Sequence, residues 1–299
     1  MRSASILAAA LLLAGAAPWA RRLERLAHPT PRDVIVIAHR ACHASAPENS
    51  IAAVKACIAA GIDGVELDVR HTRDGVAVVM HDPTVDRTTD GHGAVAELTL
   101  AELQMLHLRA GSGGAGATLT GELIPTLAAY VDTARGALWT VMDVKDKSEG
   151  ATFALLKAAH VEQQAIFFYE CRNDDLLSRI RPFWDKVVVF PIAFDTDGPL
   201  TAAMARCPST PANLIHVKWR TTGYLDQGTA VAKLRHERIW IATMFADDTA
   251  GKGDAVAVRD PQAVWGRRID LGANMIMTNE PVALKSYLSS DLSPAIKRL

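Results

Sequence analysis

The feature that most constrains this chain is an alternation running through almost its whole length. Short β-branched or apolar runs recur at residues 34–38, 64–69, 76–80, 138–144, 165–169, 186–190, 214–217, 239–243 and 275–277. Stretches with helical spacing lie between many of them. Asn49 or Ser50 opens one such helix, which carries Ile51, Val54, Cys57 and Ile58 on one face and stops at Gly61. Thr99 and Glu102 have capping-box spacing ahead of Leu103 and Leu106. Asp260 with Pro261, ahead of Val264 and Trp265, reads as a further start, and so does Pro281 ahead of Leu284, Tyr287 and Leu288. Strand and helix in strict turn predict a parallel sheet, because parallel neighbours need a crossover. The number of strands predicts an α/β fold of the closed (β/α)8 TIM-barrel type in a single domain. Nine runs compete for eight places, so either 214–217 or one edge run is surplus. An open doubly wound sheet is the alternative, although no strand here is followed by a Gly-rich dinucleotide loop. The Gly-rich residues 111–116 follow a helix and read as a flexible surface loop.

The first residues stand apart from that pattern. Met1 and Arg2 precede an Ala/Leu-rich run over 4–17, then Pro18, Trp19, Arg21 and Arg22. The run is shorter than the roughly 20 residues that span a bilayer, and Ala14-Gly15-Ala16 offers small residues for cleavage, so 1–20 read as a signal peptide and 21–299 as the mature domain. No stable transmembrane anchor is expected, and the product is placed in the periplasm or outside the cell. Lys+Arg total 32 against 33 Asp+Glu, a formal net charge of -1, which argues against a nucleic-acid surface. Cys42, Cys57, Cys171 and Cys207 contain no Cys-x-x-Cys pair. A bridge is possible in an oxidising compartment, its pairing is not readable from spacing, and at least two of the four are taken as small buried thiols.

Chemistry gathers at the ends of the first four runs. The first ends in His39-Arg40. In the second, Glu66 and Asp68 share one face, since side chains alternate with period 2. Two buried carboxylates on one face repel, and a hard divalent ion such as Ca2+ or Mg2+ resolves the conflict. The third ends in His81-Asp82. The fourth puts Trp139, Val141, Asp143 and Lys145 on one face, bulky residues below and charged ones above, as the inside of a barrel strand demands. A cation held by Glu66, Asp68 and Asp143, charge balance from Arg40 and Lys145, and proton transfer by two imidazoles suit cleavage of a phosphate ester.

Several strings in order carry a family resemblance: His39-Arg40 with Pro47-Glu48-Asn49-Ser50, Glu66-Leu67-Asp68-Val69, Thr72-Arg73-Asp74-Gly75, His81-Asp82 with Asp86-Arg87-Thr88-Thr89-Asp90-Gly91, Leu98-Thr99-Leu100-Ala101-Glu102-Leu103, Ile124-Pro125-Thr126-Leu127 and Thr278-Asn279-Glu280-Pro281. Together they resemble the glycerophosphodiester phosphodiesterase family, strongly over residues 34–145 and thinly over 146–270. The resemblance implies a (β/α)8 barrel that uses a divalent cation to hydrolyse glycerophosphodiesters to glycerol 3-phosphate and an alcohol, a step of lipid metabolism. It implies His39 and His81 as the acid/base pair, Glu66 and Asp68 as metal ligands with Asp143 beside them, and Arg40 and Lys145 as phosphate contacts, with Glu48 serving the substrate. Small-molecule partners follow, a glycerophosphodiester or a lysophospholipid. Two other readings stand beside this one, a phospholipase D-like enzyme acting on lysophospholipids and a non-catalytic barrel that captures a phosphorylated ligand.

The departures are specific. Asp143-Val144-Lys145 stands where the family usually has Glu-x-Lys, and spider-toxin-like phospholipases D resemble this chain there. Ala41 replaces the expected Gly, and His43 reads as an exposed loop residue. The late Trp position is Ala242, for which Trp240, two residues earlier on the same face, is the expected substitute toward substrate.

Overall fold

The computed structural model describes residues 17–30, 33–194, 196, 198–199, 202, 214–218, 238–245 and 251–291. Most of the apolar run at 4–17, and Cys207, lie outside the described residues. Two compact units divide the chain, one formed by Ile37–Ile166 and Asn279–Val282, the other by Met1–Val36, Phe167–Thr278 and Ala283–Leu299.

The first unit holds the end of β1 (Ile35–Ala38), then β2 (Gly64–His71), β3 (Ala77–Val79), β4 (His107–Arg109), β5 (Leu119–Leu123) and β6 (Trp139–Val144). β2 is its axis. It runs parallel to β1, with Ile37 opposite Gly64, and parallel to β6 in unbroken register from Gly64 opposite Trp139 to Val69 opposite Val144. Gly64 is required there, because a Cβ at that position would lie 2.7 Å from both Ile37 Cδ1 and Trp139 Cβ. β3 runs antiparallel to β2, pairing Val69 with Val79, and is the surplus ninth run. The segment behind it folds on a small core of its own, Val78, Met80, Val85, Val95, Leu103, Leu108 and Ile124, under the antiparallel pair β4 and β5. The helix Ile51–Ala59 begins as the sequence predicts, with the Ser50 side chain accepting from Ala53 N, and Gly61 takes φ 65 just past its end. The capping box of Thr99 and Glu102 forms, but its helix is only Leu100–Leu103, so Leu106 falls outside it.

The second unit carries β7 (Ala165–Glu170) from its Phe167 onward, β8 (Val188–Phe194), β9 (Leu214–Lys218), β10 (Arg238–Ala242) and β11 (Ala273–Thr278). β8, β9, β10 and β11 pair in parallel in that order, which makes residues 214–218 a full sheet strand. The helix Ala17–Ala27 ends against Arg238, whose side chain is fully buried. That guanidinium donates to the carbonyls of Arg25, Leu26 (3.1 Å), Asp33 (3.2 Å) and Asn274 (2.7 Å). The last carbonyls of a helix lack intrahelical partners, and here a buried cation supplies them. Hydrogen-bonded neighbours run β1-β11-β10-β9-β8-β7-β6-β2, and β2 pairs back to β1. That cyclic order is the topology of an eight-stranded (β/α)8 barrel, the fold class expected from the sequence.

The cysteines correct the sequence reading. Cys42 and Cys57 are not buried thiols but a disulfide, with Cα atoms 5.3 Å apart and a sequence separation of 15, and Cys171 is also disulfide-bonded. Both residues of the first pair are buried, which is why they mimic free thiols in a hydrophobicity pattern. The bridge fastens the segment after β1 to the helix Ile51–Ala59. Closing a loop of this length restricts the unfolded chain by about 3 kcal/mol. The Cys42→Ser/Cys57→Ser pair should therefore lose stability of about that size in equilibrium denaturation, and an unchanged midpoint would show that the bridge constrains nothing.

Candidate active site

The acidic cluster follows from one strand's alternation and one register. Glu66 and Asp68 project from the same face of β2 and are buried, 4% and 0% exposed. Asp68 stands opposite Asp143 on β6. One carboxylate oxygen from each of Glu66, Asp68 and Asp143 lies within 4.8 Å of the others. Asp143, a methylene shorter than the Glu expected there, still reaches the group.

Three acids this close need cations. Lys145 Nζ lies 2.5 Å from Asp143 Oδ2 and 3.0 Å from Asp68 Oδ1, and Arg40 Nε lies 3.7 Å from Asp68 Oδ2. Asn49 Nδ2 donates to Asp68 Oδ2 at 2.8 Å, and the Arg40 backbone N–H donates to Glu66 Oε2 at 3.0 Å. Burial pushes the Asp68 carboxyl up, yet Lys145, His81 and Arg40 together bring it below the usual range. Glu66 is pushed far up by burial first, then by the charges of Asp68 and Asp143. Burial also raises Asp143, against the pull of Lys145. Two protein cations therefore do not neutralise three carboxylates, and Asp68 Oδ1 takes no aligned hydrogen bond. A cluster of hard oxygen donors with charge left over fits a divalent cation, which Glu66, Asp68 and Asp143 could hold.

The two histidines stand on fixed tautomers. His39 Nδ1 is 2.8 Å from Asn279 Oδ1, an acceptor, so Nδ1 carries the proton and Nε2 the lone pair, 3.9 Å from Glu66 Oε2. Burial first, then the Arg40 charge, hold its pKa down to about 4, so the ring is neutral at pH 7. His81 Nδ1 is 2.6 Å from Asp82 Oδ1, which likewise turns Nε2 outward from the pair.

Glu48 is 3% exposed and is held by two guanidiniums, Arg40 at 3.2 Å and Arg87 at 2.7 Å. It is not one of the three clustered carboxylates. The loop that carries it is bent tightly, with Arg40, Ala41 and Asn49 all at positive φ (53, 63 and 59). Ala41 thus occupies the left-handed conformation for which the resemblance expects glycine. His43 is half-buried, its Nδ1 near the carbonyl oxygens of His39 (3.1 Å) and Ala41 (3.2 Å), and is not an exposed loop residue. Residues 111–116 are not a free loop either. Gly111 O accepts from Glu48 N at 2.8 Å, and Gly114 N donates to Arg87 O at 2.7 Å. Trp240 belongs to the other unit, where it is fully buried and stacked on His216 with centroids 5.2 Å apart. The first unit thus gathers His39, Arg40, Glu48, Glu66, Asp68, His81, Asp143 and Lys145. Sequence reasoning passed over Asn49, Asp82, Arg87 and Asn279 as site residues, although each lies inside a string quoted for the resemblance.

Residues 39–186 match the model of the glycerophosphoryl diester phosphodiesterase family, and that span contains all eight of these residues. Over these residues the chain is similar to that family. Residues 194–288 match a second model, described as a domain of unknown function. Among curated phosphodiesterases, bovine glycerophosphodiester phosphodiesterase 1 is 34% identical over 217 residues, 72% of this chain and 57% of that protein. The glycerophosphodiester phosphodiesterase of Caldanaerobacter subterraneus is 52% identical over 93 residues, 31% of this chain and 37% of its own length. The chain thus spans little more than half of the first relative and less of the second. A crystal structure of a glycerophosphoryl diester phosphodiesterase from Parabacteroides distasonis shares the fold at a TM-score of 0.71 and 20% identity, covering 90% of each chain. An Oleispira antarctica phosphodiesterase, solved with the product sn-glycerol-3-phosphate, shares it at a TM-score of 0.62 and 22% identity, covering 85% of this chain and 96% of that one.

Proposed function

We propose that the chain is a divalent-cation-dependent phosphodiesterase that hydrolyses glycerophosphodiesters to glycerol 3-phosphate and an alcohol. One observation carries this reading: two histidines with fixed Nδ1 partners stand in the unit that gathers three carboxylates and two cations. A barrel that only captured a phosphorylated ligand needs the cations and has no use for paired proton carriers. The Oleispira relative, with glycerol 3-phosphate bound, supports the product class.

In this reading Glu66, Asp68 and Asp143 would hold the divalent cation, whose chemistry would be Lewis-acid polarisation of a phosphoryl oxygen. Arg40 and Lys145 balance the charge of the diester. One imidazole takes a proton from the attacking water while the other gives one to the departing alkoxide, so water adds across the P–O bond without net loss of protons. Neutral His39, with its lone pair on Nε2, suits the first task. Export is part of the proposal, supported by the apolar run after Met1-Arg2 and by the Cys42–Cys57 bridge, since disulfides persist in oxidising compartments. Among the described residues no helix is long and apolar enough to cross a membrane.

The test is a substrate panel. Glycerophosphocholine, glycerophosphoethanolamine, glycerophosphoglycerol and a lysophospholipid are each incubated with Ca2+ or Mg2+ and followed by 31P NMR. A growing glycerol 3-phosphate resonance from at least one glycerophosphodiester is expected. Turnover of the lysophospholipid alone would move the activity to the phospholipase D-like class, and binding without turnover to a capture protein.

A further inference from the structure

We propose that Arg87 is a positioning residue of this site, holding His81 through Asp82 and Arg40 through Glu48. The inference rests on the reading that His81 moves a proton, but its geometry is independent of substrate.

The guanidinium of Arg87 has five N–H donors in one plane, and every one is engaged. Nε donates to Asp82 Oδ2 at 2.7 Å and Nη2 to Asp82 Oδ1 at 2.9 Å, a two-pronged grip on one carboxylate. The other edge grips a second: Nη2 donates to Glu48 Oε1 at 2.7 Å and Nη1 to Glu48 Oε2 at 3.0 Å. Nη1 also donates to the Ser112 carbonyl. Asp82 then accepts from His81, and Glu48 accepts from Arg40 Nη1 at 3.2 Å. The result is one chain of contacts, His81–Asp82–Arg87–Glu48–Arg40, that joins the segment after β1 to the segment after β3. Hydrogen bonds from Arg87 hold Asp82 well below the ordinary carboxylate range, so it stays a pure acceptor for His81 Nδ1–H.

The seat of Arg87 is built as closely as the chain itself. Gly113 has φ 72, and a Cβ there would lie 2.4 Å from the Arg87 carbonyl oxygen. Only glycine lets residues 111–114 close over Arg87, which gives the Gly-rich stretch a purpose that composition alone does not reveal. A lysine cannot replace this arginine, because an ammonium is a point donor and cannot grip two carboxylates edge-on.

The experiment uses the metal-loaded protein. Arg87→Ala should lower kcat by about 10- to 100-fold, the usual effect of removing a group that orients a site ligand. The loss should fall more on kcat than on KM, added guanidinium ion should restore part of kcat, and Arg87→Lys should fail to do so. A second readout needs no activity: 15N-labelled histidine NMR at a pH where imidazole is neutral reports the His81 tautomer. The Nδ1–H form should dominate in the unaltered protein and give way to a mixture in Arg87→Ala and Asp82→Asn. An unchanged tautomer in both variants overturns the proposal, and so does full kcat in Arg87→Ala. A shifted tautomer in a protein that hydrolyses no diester in any form would instead remove the activity reading and leave the positioning intact.

Discussion

Exhaustive chelation of divalent cations is expected to abolish phosphodiester hydrolysis by this chain, and Ca2+ or Mg2+ added back is expected to restore it. The argument is one of charge in a confined space. Glu66 and Asp68 are buried on the same face of β2, and the β2–β6 register sets Asp143 opposite Asp68. Lys145 and Arg40 are the protein cations beside them, and they leave Glu66 pushed far above its ordinary range. Without a cation the cluster relieves itself by keeping a proton, whereas with one that proton must leave. Binding of the ion should therefore weaken as pH falls, since acid favours the protonated, ion-free form. Titration calorimetry at several pH values measures this directly. Full turnover in excess chelator would remove the metal from the reading altogether.

His39→Ala and His81→Ala should each lower kcat by about 100- to 10,000-fold, the range for loss of a general acid or base. The two rings are anchored differently, His39 on the amide of Asn279 and His81 on the carboxylate of Asp82. Loss of the acid should hurt a substrate with a poor leaving group more than an activated aryl diester, whereas loss of the base should hurt both. Comparing the two substrates across the two variants sorts the roles. A variant that keeps near-full rates on both substrates has lost a ring that transfers no proton in the limiting step.

Local periodicity makes much of this legible in the sequence alone. Period-2 alternation alone put Glu66 with Asp68 and Asp143 with Lys145, and the Ser50 and Thr99 caps stand where short-range chemistry puts them. Nonlocal pairing was the missing information. Nothing local says that Cys42 meets Cys57, or that Arg87 reaches back 39 residues to Glu48. The surplus strand is a different case, because its signal was present. Asp74-Gly75 is a hairpin turn, with Gly75 at φ 77 and its N–H donating to Thr72 O at 2.9 Å, and such a turn makes β3 antiparallel to β2. Counting along a strand sets Trp240 on the face of Ala242, but a count does not report that the ring is enclosed by Phe190 and His216.

The grip of Arg238 on the helix Ala17–Ala27 bears on how far the chain can be shortened from its N-terminal side. Two of its acceptors are the carbonyls of Arg25 and Leu26, in the last turn of that helix. A chain shortened to about residue 20 keeps both, whereas one shortened beyond Leu26 loses two acceptors of a fully buried guanidinium, at about 1.5–3 kcal/mol for each hydrogen bond to the charge. The folded body thus includes the chain back to Arg25, because its buried guanidinium is seated on that residue's carbonyl.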